Sequence, residues 1–326
     1  MSRQITEDRS RRTGSGEAGA PALPRGIALA ALVGLALGAL WFAHPALALS
    51  LGAVFALATD QSLGWAAWLG KYLLQGAVVL LALRLDLREV VEISGTYLPA
   101  VAGYVVLTLI GGLILGLVIR VERQSAQLVA AGTAICGGTA VASLAPVIGA
   151  RSEQIAPVLA LIFLLNCIAL LSLPWVGQAL DMTQTQFGVW VALAVHDTSS
   201  VVGTAAAYGE EALAVATTVK LGRTLWLIPL LALWGLFASG SGKLSVPGFV
   251  VLFVLVAFLN GVLGPPEIVG RTAGVIGAYL IAGALFCVGL DLRRETLRQI
   301  SPRLLVLALT LWFVVLPLTW LVATRG

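Results

Sequence analysis

The stretch ALAVHDTSSVVGTAAAYG at residues 192–209 sets a histidine, an aspartate and three consecutive hydroxyl residues inside an apolar run. The chain has only two histidines, so the way it uses this one governs the reading of the rest. In water such a cluster would point to a catalytic pocket. In lipid it is a costly intrusion that needs a reason. The solvent therefore has to be settled first.

Composition settles it. Of 326 residues 59% are hydrophobic and 11% charged, and the mean hydropathy is +0.97. Soluble domains carry roughly 25% charged residues, so this chain cannot clothe a water-facing surface. Apolar runs of about 20 residues, enough to cross a bilayer as a helix, recur along nearly its whole length. The fold class is an all-α polytopic membrane protein, with about 9–11 transmembrane segments of that length. The formal charge of +4 is no sign of nucleic-acid binding, because the basic residues sit at the ends of apolar runs, where they orient a membrane protein. Cys136, Cys167 and Cys287 are far apart and each lies in an apolar run. They show no metal or redox spacing and read as buried thiols.

Residues 1–25 are polar and Arg-rich and read as a disordered cytoplasmic tail; residues 26–323 form the transmembrane domain. The apolar segments run 26–42, 46–59, 64–84, 98–119, 125–149, 153–175, 187–208, 211–238, 246–263, 272–290 and 304–323. Arg3, Arg9, Arg11, Arg12 and Arg25 place the N-terminus inside, and the later cluster Arg293, Arg294, Arg298 and Arg303 also falls inside. Parity allows this whether all eleven segments cross or whether 125–149 and 187–208 each enter and leave on one side. The second arrangement puts Arg120, Arg123 and Arg151 inside and Asp181 outside, as the positive-inside rule prefers.

Two internal similarities point to an inverted repeat. LDLR occurs at 85–88 and 290–293, each time closing an apolar span. AICGGTAVASLAPVIG (134–149) also overlays AVHDTSSVVGTAAAYG (194–209) without gaps, with four of sixteen positions identical: Ala134/Ala194, Val141/Val201, Ala145/Ala205 and Gly149/Gly209. If both segments are re-entrant, the first enters from inside and the second from outside. The paired elements occur in different order in the two halves, so a simple tandem duplication is not implied.

Irregular backbone survives in lipid only where protein or a water-filled cavity surrounds it. Gly137, Gly138 and Thr139 would expose backbone N–H groups at the start of a half-helix, where the dipole favours an anion; close helix packing through small residues is the alternative. Thr198, Ser199 and Ser200 add hydroxyls. His196 beside Asp197 offers proton coupling near neutral pH, against the plainer reading of a polar turn. Lys220 and Arg223, at i and i+3, share a helix face. In mid-membrane they need Asp197 or an anionic substrate; otherwise they snorkel to an interface. Both segments are expected to break, near Gly137–Gly138 and His196–Ser200, with the breaks facing across a cavity. Lys71, Asn166, Asn260 and Asp291 read as structural, the asparagines bonding neighbouring helices.

These residues are recognisable. AAGTAICGGTAVASLAPVIGA (130–150), AVHDTSSVVGTAAAYG (194–209), VKLGRTLWLIPL (219–230) and LLQGAVVLLALRLDL (73–87) resemble the YeiH-type membrane proteins, the sulfate exporter family of the bile-acid/arsenite/riboflavin transporter superfamily. The resemblance covers roughly residues 26–323. It departs at CGGTA, where relatives carry a small residue followed by Ser-Ala, and after HD, where others continue with a different acidic or amide residue. It implies a multi-pass secondary transporter of the bacterial inner (plasma) membrane with interrupted helices crossing near the midplane. Sulfate, a related sulfur oxyanion or a sulfonate as substrate comes from the resemblance alone.

The residues themselves support export of a small inorganic or organic anion. Lys220, Arg223, Gly137–Thr139 and Thr198–Ser200 would bind it, and His196 and Asp197 would couple its movement to protons. The alternatives are a proton- or sodium-coupled cation carrier using Asp197, and an intramembrane hydrolase. The last is disfavoured because triad members converge from separate elements, and no GxSxG or HExxH is present. No enzyme activity, metal or cofactor is expected. The partners expected are the bilayer, the anion and, as one option, a second copy of the chain.

Overall fold

Each apolar run must satisfy its own backbone in lipid, and a helix does so internally. The computed structural model describes residues 25–60, 63–84, 87–237, 248–264, 266–292 and 294–325; the tail expected at 1–25 therefore lies outside the described residues, apart from Arg25. In chain order the helices are α1 (Arg25–Phe42), α2 (Pro45–Thr59), α3 (Gly64–Leu81, tightening into a 3-10 turn at Ala82–Arg84), α4 (Leu87–Ile119), α5 (Arg123–Ala134), α6 (Gly138–Val147), α7 (Ser152–Ala179) and α8 (Gln184–Ala194). They continue as α9 (Thr198–Ala206), α10 (Glu210–Thr224), α11 (Leu227–Phe237), α12 (Gly248–Leu263), α13 (Glu267–Leu290), α14 (Arg294–Arg298) and α15 (Pro302–Arg325). Among the described residues six helical stretches are long and apolar enough to cross a membrane: Gly64–Arg84, Gly95–Ile119, Ser152–Ala179, Glu210–Leu231, Glu267–Leu290 and Pro302–Arg325.

Two features of the spans differ most from the sequence reading. α4 starts before residue 98, because the polar turns around Arg88 and Glu92 are helical ahead of the apolar span at Gly95–Ile119. The run 211–238 is interrupted at Leu225–Trp226, where Leu225 N–H donates to Gly222 O and Trp226 N–H to Arg223 O.

Both suspected segments are broken, and both are re-entrant. α5 and α6 have 12 and 10 residues, about 18 and 15 Å at 1.5 Å per residue, half the roughly 30 Å hydrocarbon core. Their outer ends return to one place. The Glu122 carboxylate, ahead of α5, accepts from Gln154 Nε2 and lies 3.5 Å from Arg151 Nη2, both at the start of α7. α8 and α9, with 11 and 9 residues, repeat the arrangement at the far end of α7. There Tyr208 Oη donates to Met182 O at 2.7 Å, and the backbone N–H groups of Glu211 and Ala212 donate to Gln184 Oε1 at 3.1 and 3.3 Å. The 28-residue α7 separates the two closures, so the hairpins enter from opposite ends of the bundle.

Cysteine labelling from each side tests this arrangement. In a parent whose three native cysteines are buried, Arg123→Cys and Glu153→Cys should react with an impermeant reagent from the same face, and Asp181→Cys and Glu211→Cys from the other. Labelling of Arg123→Cys and Glu153→Cys from opposite faces would mean that 125–149 crosses.

The helices pack into two apolar clusters. One gathers α4–α11 and α15 around the hairpins. The other gathers α1–α3, α12 and α13 and receives Leu170 of α7, Val202 of α9 and Leu221 of α10. α2 and α13 approach at backbone contact: a Cβ on Gly52 would lie 2.2 Å from Phe286 O, and one on Gly289 2.3 Å from Leu49 O. α3 and α13 also pack together and run oppositely. Arg84, after α3, pairs with Glu210 at the end where the second hairpin closes, whereas Arg294, after α13, donates its N–H to Asp60 Oδ1 at the other. The LDLR repeat at these helix ends falls partly outside the described residues.

Candidate functional site: the crossing of two half-helix hairpins

The tips of the two hairpins touch. Gly137 has φ +57° and ψ −119°, a backbone conformation that side chains resist, and its N–H donates to Gly132 O at 2.9 Å. A Cβ placed on it would lie 3.3 Å from Asp197 Cα, Asp197 N and His196 C. The glycine thus lets one tip rest on the other. Gly137 and Asp197 are equivalent positions in the ungapped overlay, and each immediately precedes its inner half-helix. The breaks are Ile135–Gly137 and Val195–Asp197 rather than His196–Ser200. Thr198, Ser199 and Ser200 already form the first turn of α9, because Asp197 caps it: its carboxylate accepts from Ser199 N at 3.1 Å and from the Ser199 hydroxyl. The breaks meet in direct contact, not across the cavity expected from the sequence.

A broken helix leaves its last carbonyls without partners, and here two sets are buried together. Lys220 and Arg223, both fully buried, serve them. Arg223 Nε donates to Ala134 O at 2.9 Å, Nη1 to Ala192 O at 2.7 Å and Leu193 O at 2.8 Å, and Nη2 to Thr133 O. Lys220 Nζ donates to Val195 O at 2.8 Å and His196 O at 2.6 Å. Trp312 Nε1 of α15 reaches Ala194 O at 3.2 Å. Tyr104 of α4 lies beneath the guanidinium, 4.6 Å from ring centroid to Cζ, and its Oη donates to Thr133 O at 2.9 Å. The i, i+3 cations thus face the negative ends of two half-helix dipoles. Asp197, the counter-charge considered from the sequence, forms no ion pair with either of them among the described residues.

The opposite, positive ends are those of α6 and α9. α6 has no side-chain cap; Gly138 is half-buried and Thr139 exposed. His196 is buried; its N–H donates to Asn166 Oδ1 at 3.1 Å, and its Nδ1 lies 3.3 Å from the same oxygen. All ten residues singled out in the sequence converge here, since each lies within three positions of Gly137 or Asp197 or belongs to the Lys220–Arg223 pair that grips the tips. Tyr104, Thr133, Asn166 and Trp312 complete the arrangement. Tyr104 and Trp312 carried no sequence signal, being aromatics in apolar spans with no local pattern around them, and Asn166 had read as structural.

Two cavities lie at opposite ends of the bundle. One, of about 170 Å³, is lined by Val202 and Ala206 of α9 and by α2, α3, α10 and α13, with Arg84 and Glu210 at its rim. Those two groups pair at 2.6 Å, linking α3 to α10. The other, of about 220 Å³, is lined by Ala156, Leu159, Ala160 and Phe163 of α7 and by Leu290–Leu292 after α13. Between them α9 packs on α13, where a Cβ on Gly203 would lie 2.5 Å from Leu285 Cδ1 and 2.9 Å from Leu170 Cδ1.

The chain matches the family model described as conserved hypothetical protein 698 over residues 27–308. It is similar to a UPF0324 membrane protein of Bacteroides thetaiotaomicron, with 40% identity over 83% of each chain. Another relative, from Bdellovibrio bacteriovorus, is 38% identical over 84% of this chain and 87% of its own. A third, from Geobacter sulfurreducens, is 41% identical over 76% and 80%. No solved structure matches. A match of this extent makes this chain a member of the conserved hypothetical protein 698 family, and the relatives that share most of their length with it are UPF0324 membrane proteins.

Proposed function

We propose that the chain is a secondary transporter that moves a small anion across the bacterial inner membrane. The observation that carries this reading is the meeting of two half-membrane hairpins, entering from opposite ends, at Gly137 and Asp197. Discontinuous helices in transporters bring half-helix termini to a substrate near the midplane, and the cavities at the two ends suit alternating access. Lys220 and Arg223 hold the negative termini, which leaves the uncapped positive start of α6 to act on solute, beside the first turn of α9 that Asp197 caps. Gly138, Thr139, Thr198 and Ser200 are the groups assigned to the anion. In this reading Arg223 is a positioning residue, because every guanidinium nitrogen already has an acceptor. Sulfate or a related sulfur oxyanion or sulfonate is the substrate suggested by the resemblance to YeiH-type proteins. Arg120, Arg123, Arg151 and Arg303 share the end at which the first hairpin closes; the positive-inside rule makes that end cytoplasmic, and the arginines at 3–25 favour the same side for the N-terminus.

The first test is a thermal-shift screen in detergent with sulfate, thiosulfate and methanesulfonate against sodium and potassium. A ligand that binds the native state raises stability by RT ln(1 + [L]/Kd), so an anion at about 100 times its Kd should add about 2.7 kcal/mol. Stabilisation by sodium or potassium and by none of the anions would assign the site to a cation carried on Asp197.

His196 and Asp197 are the groups through which protons would couple. If His196 carries the coupling proton, His196→Gln should flatten the dependence of flux on pH while sparing part of the anion binding. An unchanged profile returns His196 to holding Asn166.

A further inference from the structure

Asn166, in the middle of α7, is 1% exposed. Its Oδ1 accepts from His196 N–H at 3.1 Å. A backbone N–H can only donate, so this contact fixes which end of the amide faces the break. Nδ2 is then the end left over. It is buried and, among the described residues, has no hydrogen-bond partner, a state shared only with Trp320 Nε1. Buried polar atoms are nearly always paired, and a donor left bare is unfavourable. Trp320 lies on α15, outside the crossing, whereas Asn166 is hydrogen-bonded to the tip of the second hairpin.

The place of Asn166 on α7 supplies a route. Leu159, Phe163 and Asn166 stand at i, i+4 and i+7, one face of the helix, and the first two line the cavity of about 220 Å³. Gly138 belongs to the same neighbourhood, since a Cβ on it would lie 3.7 Å from Leu159 Cδ2. Leu170, one turn beyond Asn166, meets Gly203 of α9. The cavity wall and Asn166 thus share one face of α7, with Gly138 at the start of α6 beside it.

We propose that the bare Nδ2 of Asn166 is a substrate-binding donor for an oxygen of the transported anion, reached through the cavity beside Leu159 and Phe163. This rests on the anion-transporter reading and sharpens it. Because Oδ1 is committed to His196 N–H, the amide offers donors only. It therefore selects a solute carrying acceptor oxygens and has nothing to give a bare metal cation. The same amide ties substrate to His196, so occupancy of Nδ2 and the position of the second tip are linked through one rigid side chain.

Asn166→Asp keeps an acceptor for His196 N–H and removes the donor. Asn166→Ser keeps a smaller acceptor there and serves if the aspartate variant fails to fold. Both are to be titrated with inorganic sulfate and methanesulfonate, alongside sodium and potassium, with the unfolding temperature as readout. The expected result is a parent stabilised by at least one anion and a loss of tenfold or more in apparent affinity in each variant that folds. Parent-like anion affinity in the variants overturns the role of Asn166 and leaves the anion reading standing. A parent stabilised by sodium or potassium and by neither anion overturns both.

Discussion

Arg223→Met should yield little or no cooperatively folding protein. The methionine keeps much of the apolar stem and removes a charge that is unfavourable in lipid, so a cation that merely sat in the membrane would be replaced without harm. Here the guanidinium is the donor to Ala134 O, Ala192 O and Leu193 O and shares Thr133 O with Tyr104. Each buried carbonyl left bare costs about 1–3 kcal/mol, and three or four together approach the whole stability of a typical domain, about 5–15 kcal/mol. Arg223→Lys should fall between parent and methionine variant, because an ammonium has three donors where the guanidinium has five. Lys220→Met should cost less, since His196 O loses the ammonium donor while Val195 O keeps a longer, 3.5 Å bond from Arg223 Nη1. The readout is the yield of monodisperse protein and its unfolding temperature in one detergent. A methionine variant at position 223 that unfolds with the parent would contradict the assignment of this side chain to the helix ends.

Gly137→Ala should be the most damaging added methyl group at the hairpin tips. It places a side chain at φ +57° and ψ −119°, a strain of about 1–3 kcal/mol. It also sets a Cβ 3.3 Å from the backbone of Asp197 and His196, so the second tip must withdraw. The expected result is a clear fall in unfolding temperature together with loss of transport. Gly138→Ala is the control, because its Cβ would make an ordinary 3.7 Å contact with the flexible Leu159 side chain; that variant should fold like the parent. Equal stability and transport in the position 137 variant would mean that the hairpins do not rely on this contact.

Much of the arrangement was legible because lipid makes polar groups conspicuous. The sixteen-residue overlay matched the end of α5 to that of α8 and the break at Gly137 to that at Asp197, even though only four identities supported it. The i, i+3 cations were visible as an anomaly, but their partners were not. Backbone carbonyls leave no mark in a sequence, whereas a carboxylate such as Asp197 does, so the sequence reading favoured a charged partner. Asp197 followed a local rule instead, capping α9 through Ser199. Tyr104 and Trp312 could not be foreseen for a related reason: their roles depend on which span packs behind the tips, which no local pattern encodes. The re-entrant course of both segments was one of two arrangements that parity allowed. It was decided by ends that meet through Glu122 with Gln154 and through Met182 with Tyr208, pairs separated by 26 or more residues.

Solute flux in proteoliposomes tests the central proposal most directly. Purified protein is reconstituted into vesicles loaded with unlabelled sulfate or methanesulfonate, and uptake of the labelled anion is followed with and without the internal load. Anion transport through the crossing gives labelled, chemically unchanged solute accumulating in loaded vesicles, with that accumulation abolished by Gly137→Ala and retained in Gly111→Ala, where an added Cβ meets nothing within 4 Å. No uptake of any anion above that of protein-free vesicles, with the protein folded and correctly inserted by the cysteine-labelling pattern, would contradict it.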